Sequence, residues 1–387
     1  MTRVLSIALI GTRGVPAKYG GFETCVHEIG RRLAQRGHSV TVYCRCSYYM
    51  ERTPEWEGVR RIFLPNIRMK TLDTLSHTFL SCWHALFMQY DVHMVFNAAN
   101  SLMLFPLRLF GKRIAVNTDG LEWRRSKWNR LGKSYFKAAE KLSCFIANRI
   151  VSDSKGIHDY YLKTHGVDSS EIAYGAYVQQ PKSPDRLKEL GLVPGGYFLQ
   201  ITRFEPENYP LLTIEAYNRL NTDKKLVLVG GNPYGGDYVD KIMAAAGENI
   251  ILPGFIYDQE LLGQLWAYCH AYIHGNSVGG TNPALLQTMA AGCLTIASDI
   301  PFNHDVLQEF GIYYTLEQSS LAEMMQWSLD HIHELDGFKQ GARQRVLKHY
   351  SWEHITDQYE ALFYDLLDNK YPWRLLRASG IDHKKSA

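Results

Sequence analysis

Apolar runs of strand length alternate with amphipathic stretches along this chain. Val4–Ile10 is a continuous apolar run, closed by the turn Gly11-Thr12-Arg13-Gly14-Val15-Pro16. Phe22, Val26, Ile29 and Leu33 then recur at helical spacing, Gly37 ends that helix, and Ser39–Tyr43 is the next strand. Strand, glycine turn, helix, strand predicts a βαβ unit with a right-handed crossover. Leu72–Phe87 reads as an amphipathic helix with Leu75, Phe79, Leu86 and Phe87 among its buried side chains. Trp83 and His84 on it read as packing and surface residues. Met94–Phe96, Arg113–Asn117 and Ile150–Ser152 are further short strands, and Asp153-Ser154 is placed to cap a helix running to about Thr164.

Prolines at 181, 184 and 194 then interrupt the pattern, and it begins again. Tyr197–Thr202 is a strand, a helix runs from about Tyr209 to Leu220, and Lys225–Val229 is the next strand. Asp258 opens a helix to about Tyr268, and Leu321–Ile332, Gly337–His349 and a stretch from Trp352 read as helices. The most explicit segment is Ala271–Ser298: strand Ala271–His274, a glycine-rich loop, a helix from Pro283 to Ala291, a stop at Gly292, and strand Cys293–Ala297. Asn282 suits the N-cap, Pro283 the first helical position and Gly292 the C-terminal punctuation. The expected organisation is a first α/β domain over 1–180, a linker over 181–196, a second α/β domain over 197–365, and a basic aromatic tail over 366–387 that returns toward the first domain.

Length and composition agree with this division. The 387 residues are enough for two cores, and 46% hydrophobic with 21% charged residues fits a folded, water-exposed protein. A net charge of +3 does not imply a nucleic-acid partner. Seven cysteines without a C-x-x-C pair do not make a disulfide framework, which points to a reducing, cytoplasmic setting. The apolar stretch Met94–Phe110 is interrupted by Asn97, Asn100 and Arg108, so any membrane contact is expected to be peripheral.

Candidate chemistry collects where strands end. Gly20-Gly21 and Gly279-Gly280-Thr281-Asn282 each precede a helix, where free N–H groups can hold an anion; each also serves as an ordinary turn. The first does not have the G-x-G-x-x-G spacing of a nicotinamide-cofactor site. Arg203, at the end of a predicted strand, suits a phosphate. Asp119 sits at a strand–loop junction, as a turn residue or as a group facing a site. Glu122, Trp123, Arg124 and Arg125 open a run continuing through Lys127, Arg130, Lys133, Lys137 and Lys141. That run is a solvated helix face or, because Trp123 and Trp128 interleave with it, a surface for an acidic headgroup or a lipid-linked diphosphate. No Asp-x-Asp pair, HExxH or cysteine cluster offers a metal site, so neither metal nor cofactor is expected.

Four motifs resemble one family: GTRGVPAKYGGFE, TDGLEW, RFEPEN and GGTNP. They are similar to retaining nucleotide-sugar glycosyltransferases of family 4, closest to a subgroup of bacterial polysaccharide enzymes that includes rhamnosyltransferases. The resemblance extends through about residue 365. It implies a GT-B fold, two Rossmann-like domains facing across a cleft, and transfer with retention at the anomeric carbon. Donor binding would then fall to Gly20, Gly21, Arg203, Asn208, Gly280, Thr281, Asn282 and Gln287. Phe255 and Ile256 would border the base, Asp119 would orient the acceptor hydroxyl, and Glu122, Trp123, Arg124 and Arg125 would lie on the acceptor and lipid side. The chain departs from the family pattern at Gly279 and Gln287, where many members carry a Glu-x7-Glu pair, and at Asn208, where Lys is usual. The implied partners are a nucleotide-sugar donor such as dTDP-rhamnose, a lipid-linked saccharide acceptor and the anionic inner face of the plasma membrane. Two alternatives stand beside this reading: a nucleotide-sugar 2-epimerase of similar fold, and a non-catalytic membrane-surface binding protein.

Overall fold

The computed structural model describes residues 3–18, 20–69, 72–118, 120–124, 128–178, 183–232, 235–278 and 280–371. Its first half runs β1 (Ser6–Ile10), α1 (Gly21–Gln35), β2 (Ser39–Arg45), β3 (Glu55–Trp56), β4 (Val59–Leu64), α2 (Asp73–Leu86), β5 (Val92–Phe96), α3 (Phe105–Leu109), β6 (Ile114–Asn117), α4 (Arg130–Ile146), β7 (Arg149–Ser152), α5 (Lys155–His165) and β8 (Ser170–Glu171). These strands form one sheet in the order β3-β4-β2-β1-β5-β6-β7-β8, parallel except for the β3–β4 edge pair. The second half runs β9 (Tyr197–Arg203), α6 (Pro210–Tyr217), β10 (Lys225–Gly231), α7 (Asp237–Ala245), β11 (Ile250–Gly254), α8 (Gln259–Tyr268), β12 (Ala271–His274), α9 (Pro283–Ala291), β13 (Leu294–Ser298), α10 (Pro301–Leu307), β14 (Ile312–Tyr314), α11 (Gln318–Asp330), α12 (Leu335–His349) and α13 (Trp352–Leu367). Its sheet is wholly parallel, in the order β11-β10-β9-β12-β13-β14.

Both sheets are doubly wound: each chain path starts at a central strand, moves to one edge, then returns and moves to the other. Strand order therefore reverses beside β1 and β5 in the first sheet and beside β9 and β12 in the second. A parallel sheet offers its ligand crevice at that reversal, outside the carboxyl ends of the strands. Those ends carry Gly11–Gly14 and Asn97 in the first domain, Arg203 and the loop after His274 in the second.

The last helix closes the architecture. Although α13 follows the second domain in sequence, it packs on α1, and Ile355, Tyr359, Leu362, Phe363 and Leu366 lie in the apolar cluster built on β1 and β5. Arg36 pairs with Glu353, Asp357 and Glu360 of α13, and Asn117 donates to Tyr359 Oη at 2.9 Å. In space, then, residues 352–367 go with the first sheet, not with the rest of the 197–365 span. The same cluster takes in Leu285, Leu286 and Met289 of α9, so apolar packing is continuous across the two domains.

One helix turns opposite to expectation. On α2 the buried residues are His77, Thr78, Ser81, Cys82 and Ala85, while Phe79, Trp83 and Phe87 are exposed and Leu75 and Leu86 are only half-buried. Small and polar side chains sit inward because the helix packs closely on the turn Ala98–Leu104, with Thr78 donating to Asn100 Oδ1 at 2.9 Å. Among the described residues no helix is long and apolar enough to cross a membrane.

Candidate functional site

The two helix starts singled out by their glycines meet across the cleft. α1 begins at Gly21 and α9 at Pro283, and a Cβ on Gly21 would stand 3.6 Å from Pro283 Cγ and 3.7 Å from the Tyr174 ring. Gly20 has φ 116°, a conformation that favours glycine, and a side chain there would strike the Glu23 carboxylate. That carboxylate turns back to accept from the Arg13 backbone N–H and guanidinium, both at 3.3 Å. Arg13 also lies over the Tyr48 ring, 5.3 Å from its centroid. Sequence reasoning quoted Arg13 only as part of a motif; its place just beyond β1, at the strand reversal, puts a cation on the first domain's side of the cleft.

The loop from β12 to α9 is held from both sides. On the first-domain side, Thr281 Oγ1 donates to the Asp153 carbonyl, and a Cβ on Gly280 would lie 2.0 Å from Asp153 Oδ1. Only glycine fits there. The sequence assigned Asp153-Ser154 to capping α5, but Ser154 makes no side-chain cap bond and donates instead to Asp153 Oδ1 at 3.3 Å. Asp153 is buried, and its carboxylate borders the loop at Gly280. On the second-domain side, Ser277 N–H and Oγ both donate to the Glu207 carbonyl at 3.0 Å, and Asn276 donates to Asn208 Oδ1 at 2.8 Å. Asn282 caps α9 by accepting from Ala284 N–H at 2.9 Å, as its position predicts. His274, the last residue of β12, is wholly buried and its pKa is pushed down to about 3 by that burial, so it enters this corner neutral.

The two amides that depart from the family pattern are both engaged within the protein. Asn208 is buried; its Nδ2 donates to the Arg203 carbonyl at 3.0 Å while its Oδ1 takes the bond from Asn276. It ties the end of β9 to the glycine loop. Gln287 Nε2 donates to the Tyr177 carbonyl at 3.1 Å, and Gln287 Oε1 accepts from Tyr177 N–H at 3.4 Å. A neutral amide can do both at once; a carboxylate cannot. Tyr177 in turn donates its hydroxyl to Glu28, a carboxylate with no exposed side-chain surface that Arg31 and Arg32 also hold. In this structure both amides shape and fasten the walls of the site through bonds within the protein.

Arg203 ends β9 with its guanidinium 3.5 Å from Glu205 and partly open to solvent. Phe255 stacks on Tyr257, centroids 6.1 Å apart at 14°, and packs over Gly231 at the end of β10. Ile256 is half-buried beside them. Half-exposed parallel rings over a glycine make a flat apolar shelf of the kind a planar base can use. Asp119, Arg125, Lys127 and Gly279 lie outside the described residues.

The acceptor-side segment is more structural than its composition suggests. Trp123 donates through Nε1 to Glu140 at 3.2 Å and lies between the cations of Lys137 and Arg124, 4.5 and 5.3 Å from its centroid. Glu122 accepts from Trp128 Nε1 at 3.1 Å. Trp123 and Glu122 thus fold the loop onto α4, leaving Arg124 exposed. Among the described residues no group of three or more His, Cys, Asp or Glu is arranged to hold a metal ion.

Comparison with known proteins agrees with this geometry. Residues 188–345 match the model for glycosyl transferases group 1, and residues 102–177 match a domain of unknown function, DUF1972. A curated relative from Campylobacter jejuni, an N-acetylgalactosamine-N,N'-diacetylbacillosaminyl-diphospho-undecaprenol 4-alpha-N-acetylgalactosaminyltransferase, is 23% identical over 221 residues, 54% of this chain and 58% of its own. The chain thus spans a little over half the length of that relative. Among solved structures, sucrose-phosphate synthase from Thermosynechococcus elongatus superposes with a TM-score of 0.82 at 19% identity, covering 94% of this chain and 99% of its own. Anabaena HepE in complex with UDP-glucose superposes with a TM-score of 0.75 at 14% identity, covering 93% and 100%. At such identities the superpositions speak for the fold. The chain therefore has the two-domain GT-B fold, with a second domain that matches glycosyl transferases group 1.

Proposed function

We propose that the protein is a retaining glycosyltransferase that moves a hexose from a nucleoside diphosphate to a lipid-linked saccharide during cell-surface polysaccharide synthesis. The observation that carries the reading is the meeting of the glycine-bearing starts of α1 and α9 in the cleft, beside the second domain's strand reversal, where Arg203 stands. Helix N–H groups and a guanidinium together suit a diphosphate. In this reading Arg203 and the N–H groups around Gly20, Gly21, Gly280, Thr281 and Asn282 hold the phosphates, and Phe255 and Ile256 receive the base. Asp119 orients the acceptor hydroxyl.

That hydroxyl oxygen bonds to the anomeric carbon on the face the diphosphate leaves. The carbon–oxygen bond to the diphosphate breaks, and the leaving phosphate oxygen takes the acceptor proton. Charge on the leaving group is met by groups already in place, so the reading needs neither a side-chain nucleophile nor a divalent ion. Among sugars, rhamnose from dTDP-rhamnose is the one the motif resemblance suggests, while the relative's name specifies N-acetylgalactosamine. The lipid-linked acceptor is supported by that relative's name, which includes diphospho-undecaprenol, and by the cationic stretch at Arg124–Lys141. Thermal stabilisation by a panel of dTDP-, UDP- and GDP-sugars, followed by release of the free nucleoside diphosphate, tests the proposal. A protein that none of them stabilises, and that releases no nucleotide with or without acceptor, is not this enzyme.

A further inference from the structure

The outward face of α2 and its neighbours takes no part in the site described above, yet it exposes several large apolar side chains. Phe79 and Trp83 pack edge to face on α2, their ring centroids 6.2 Å apart, and both are exposed. Phe87, just past the helix end, is 82% exposed; Leu109 and Phe110, at the end of α3, are 79% and 70% exposed. Leu131 at the start of α4 is 80% exposed. These elements adjoin: α2 packs on α3 and on the turn Ala98–Leu104, and α4 reaches that turn through Tyr135, which donates to the Ala99 carbonyl at 2.7 Å. Large exposed side chains gathered on adjoining elements mark an interaction surface, whereas scattered ones do not.

Charge says what kind. From residue 92 to residue 139 the sequence has nine Lys and Arg against two acidic residues, in a chain whose total is only +3. Arg130, Lys133, Lys137 and Lys141 recur at helical spacing along α4, a single stripe. Asp91, the one acidic residue between Thr74 and Lys112, is occupied by Arg3 at 3.1 Å and by Ser6 N–H at 2.8 Å. Apolar side chains flanked by cations, in a stretch poor in carboxylates, complement an anionic bilayer. A polypeptide partner would more naturally find charges of both signs around such a patch.

Topology places the face usefully. The carboxyl ends of the parallel strands look into the cleft, so the turn after Asn97 and the start of α4 lie at the cleft rim. The ends of α2 and α3 lead back to the starts of β5 and β6, at the far end of the domain. The face therefore runs along the flank from rim to base. We infer that the exposed side of α2 and α3, with the α4 cation stripe beside it, is the surface on which the protein rests against an anionic bilayer, Phe87, Leu109 and Phe110 entering the headgroup region. Lying on that flank, the first domain keeps its cleft mouth at the membrane, where a lipid-linked acceptor can reach it; this part rests on the function proposed above.

The test is sedimentation of the full chain with vesicles of phosphatidylglycerol mixed with phosphatidylcholine, and with phosphatidylcholine alone. The wild type sediments with the first and much less with the second. Phe87→Ser combined with Leu109→Ser and Phe110→Ser loses on the order of tenfold or more in vesicle partition. Lys133→Gln with Lys141→Gln loses binding that added salt also removes. Both variants keep the wild-type melting temperature and nucleotide affinity, since these are surface side chains and none is among the groups assigned to the phosphates or the base. Equal sedimentation of wild type and triple-serine variant overturns the inference, as does wild type that ignores anionic vesicles. A dimer in light scattering that the triple-serine variant abolishes, without vesicle binding, would instead assign the face to a second copy of the chain. Vesicle binding without nucleotide binding would leave this surface standing and remove the transferase reading; the converse would do the opposite.

Discussion

Replacing Gln287 by Glu puts the observed geometry against the family pattern, because Glu is what many similar enzymes carry there. The substitution removes the Nε2 donor that serves the Tyr177 carbonyl at 3.1 Å and sets a carboxylate oxygen against that carbonyl. The surviving contact to Tyr177 N–H is long, 3.4 Å, and returns less than is lost. Losing one partly buried bond and leaving a carbonyl unpaired costs about 1–3 kcal/mol. For a domain of this size that is a fall in melting temperature of roughly 2–12 °C. The sign of its pH dependence follows from the proton. Facing a carbonyl, the new carboxyl is better neutral, so its folded pKa lies above the ordinary value of about 4.3. The protonated acid donates to Tyr177 as the amide did. The penalty is therefore absent below the ordinary pKa, grows as pH rises through the folded value, and is constant above it. Gln287→Met, which removes both bonds without adding charge, should lose a smaller and pH-independent amount. Melting curves for the three proteins from about pH 5 to about pH 8 read this directly. If Gln287→Glu melts with the wild type throughout while its nucleotide affinity changes, the side chain faces ligand and the fastening described here is wrong.

Other outcomes follow from the same contacts. Arg203→Ala should weaken nucleoside diphosphate binding by roughly 1.5–3 kcal/mol in a calorimetric titration, and unchanged affinity would take Arg203 out of the site. Gly280→Ala should cripple turnover, since its methyl group has only the Asp153 carboxylate to occupy; wild-type rates would mean the loop stands away from Asp153 during the reaction. Glu28 has its pKa lowered, burial raising it but bonds from Tyr177, Arg32 and Arg31 outweighing that. Its stabilising contribution is thus present above the ordinary carboxylate range and lost as pH falls through the folded value; Glu28→Gln should cost about 3 kcal/mol near neutrality and little in acid, by urea unfolding at two pH values. Activity should survive exhaustive chelation; loss restored by magnesium or manganese would refute the metal-free reading.

Where backbone chemistry is explicit, the sequence and the structure coincide. Ala271–His274 and Pro283–Ala291 fall where they were predicted because Asn282, Pro283 and Gly292 each have a local job that tertiary contacts do not override. β4 was not anticipated: Val59–Leu64 carries two arginines, and Arg61 is buried because the Thr53 and Val15 carbonyls receive its guanidinium. Periodicity cannot see such partners. α7 was missed for a related reason, a short helix in a stretch where only Ile242 is buried. On α2 the helical period is right and the face is inverted, since what the helix packs against is set by residues some twenty positions on. The site's glycines and Arg203 were legible as types. That Asn208 and Gln287 turn inward was not, because their partners, Asn276 and Tyr177, are distant in sequence and Tyr177 pairs through its backbone.

The return of α13 has a consequence for how the chain is made. A ribosome delivers residues 1–180 first, but the first sheet's helix α1 then lacks the cover that Ile355, Tyr359, Leu362, Phe363 and Leu366 supply. The cations of Arg32 and Arg36 also await Glu353, Asp357 and Glu360. Synthesis at about 5–20 residues per second leaves that apolar strip bare for roughly ten to forty seconds while the second domain emerges. During that interval the nascent first domain is a substrate for chaperones, and the second domain, whose sheet is contiguous from β9 to β14, can finish before it. Chains that stop short of α13 should be expected to aggregate through the first domain even though its whole sheet has been synthesised.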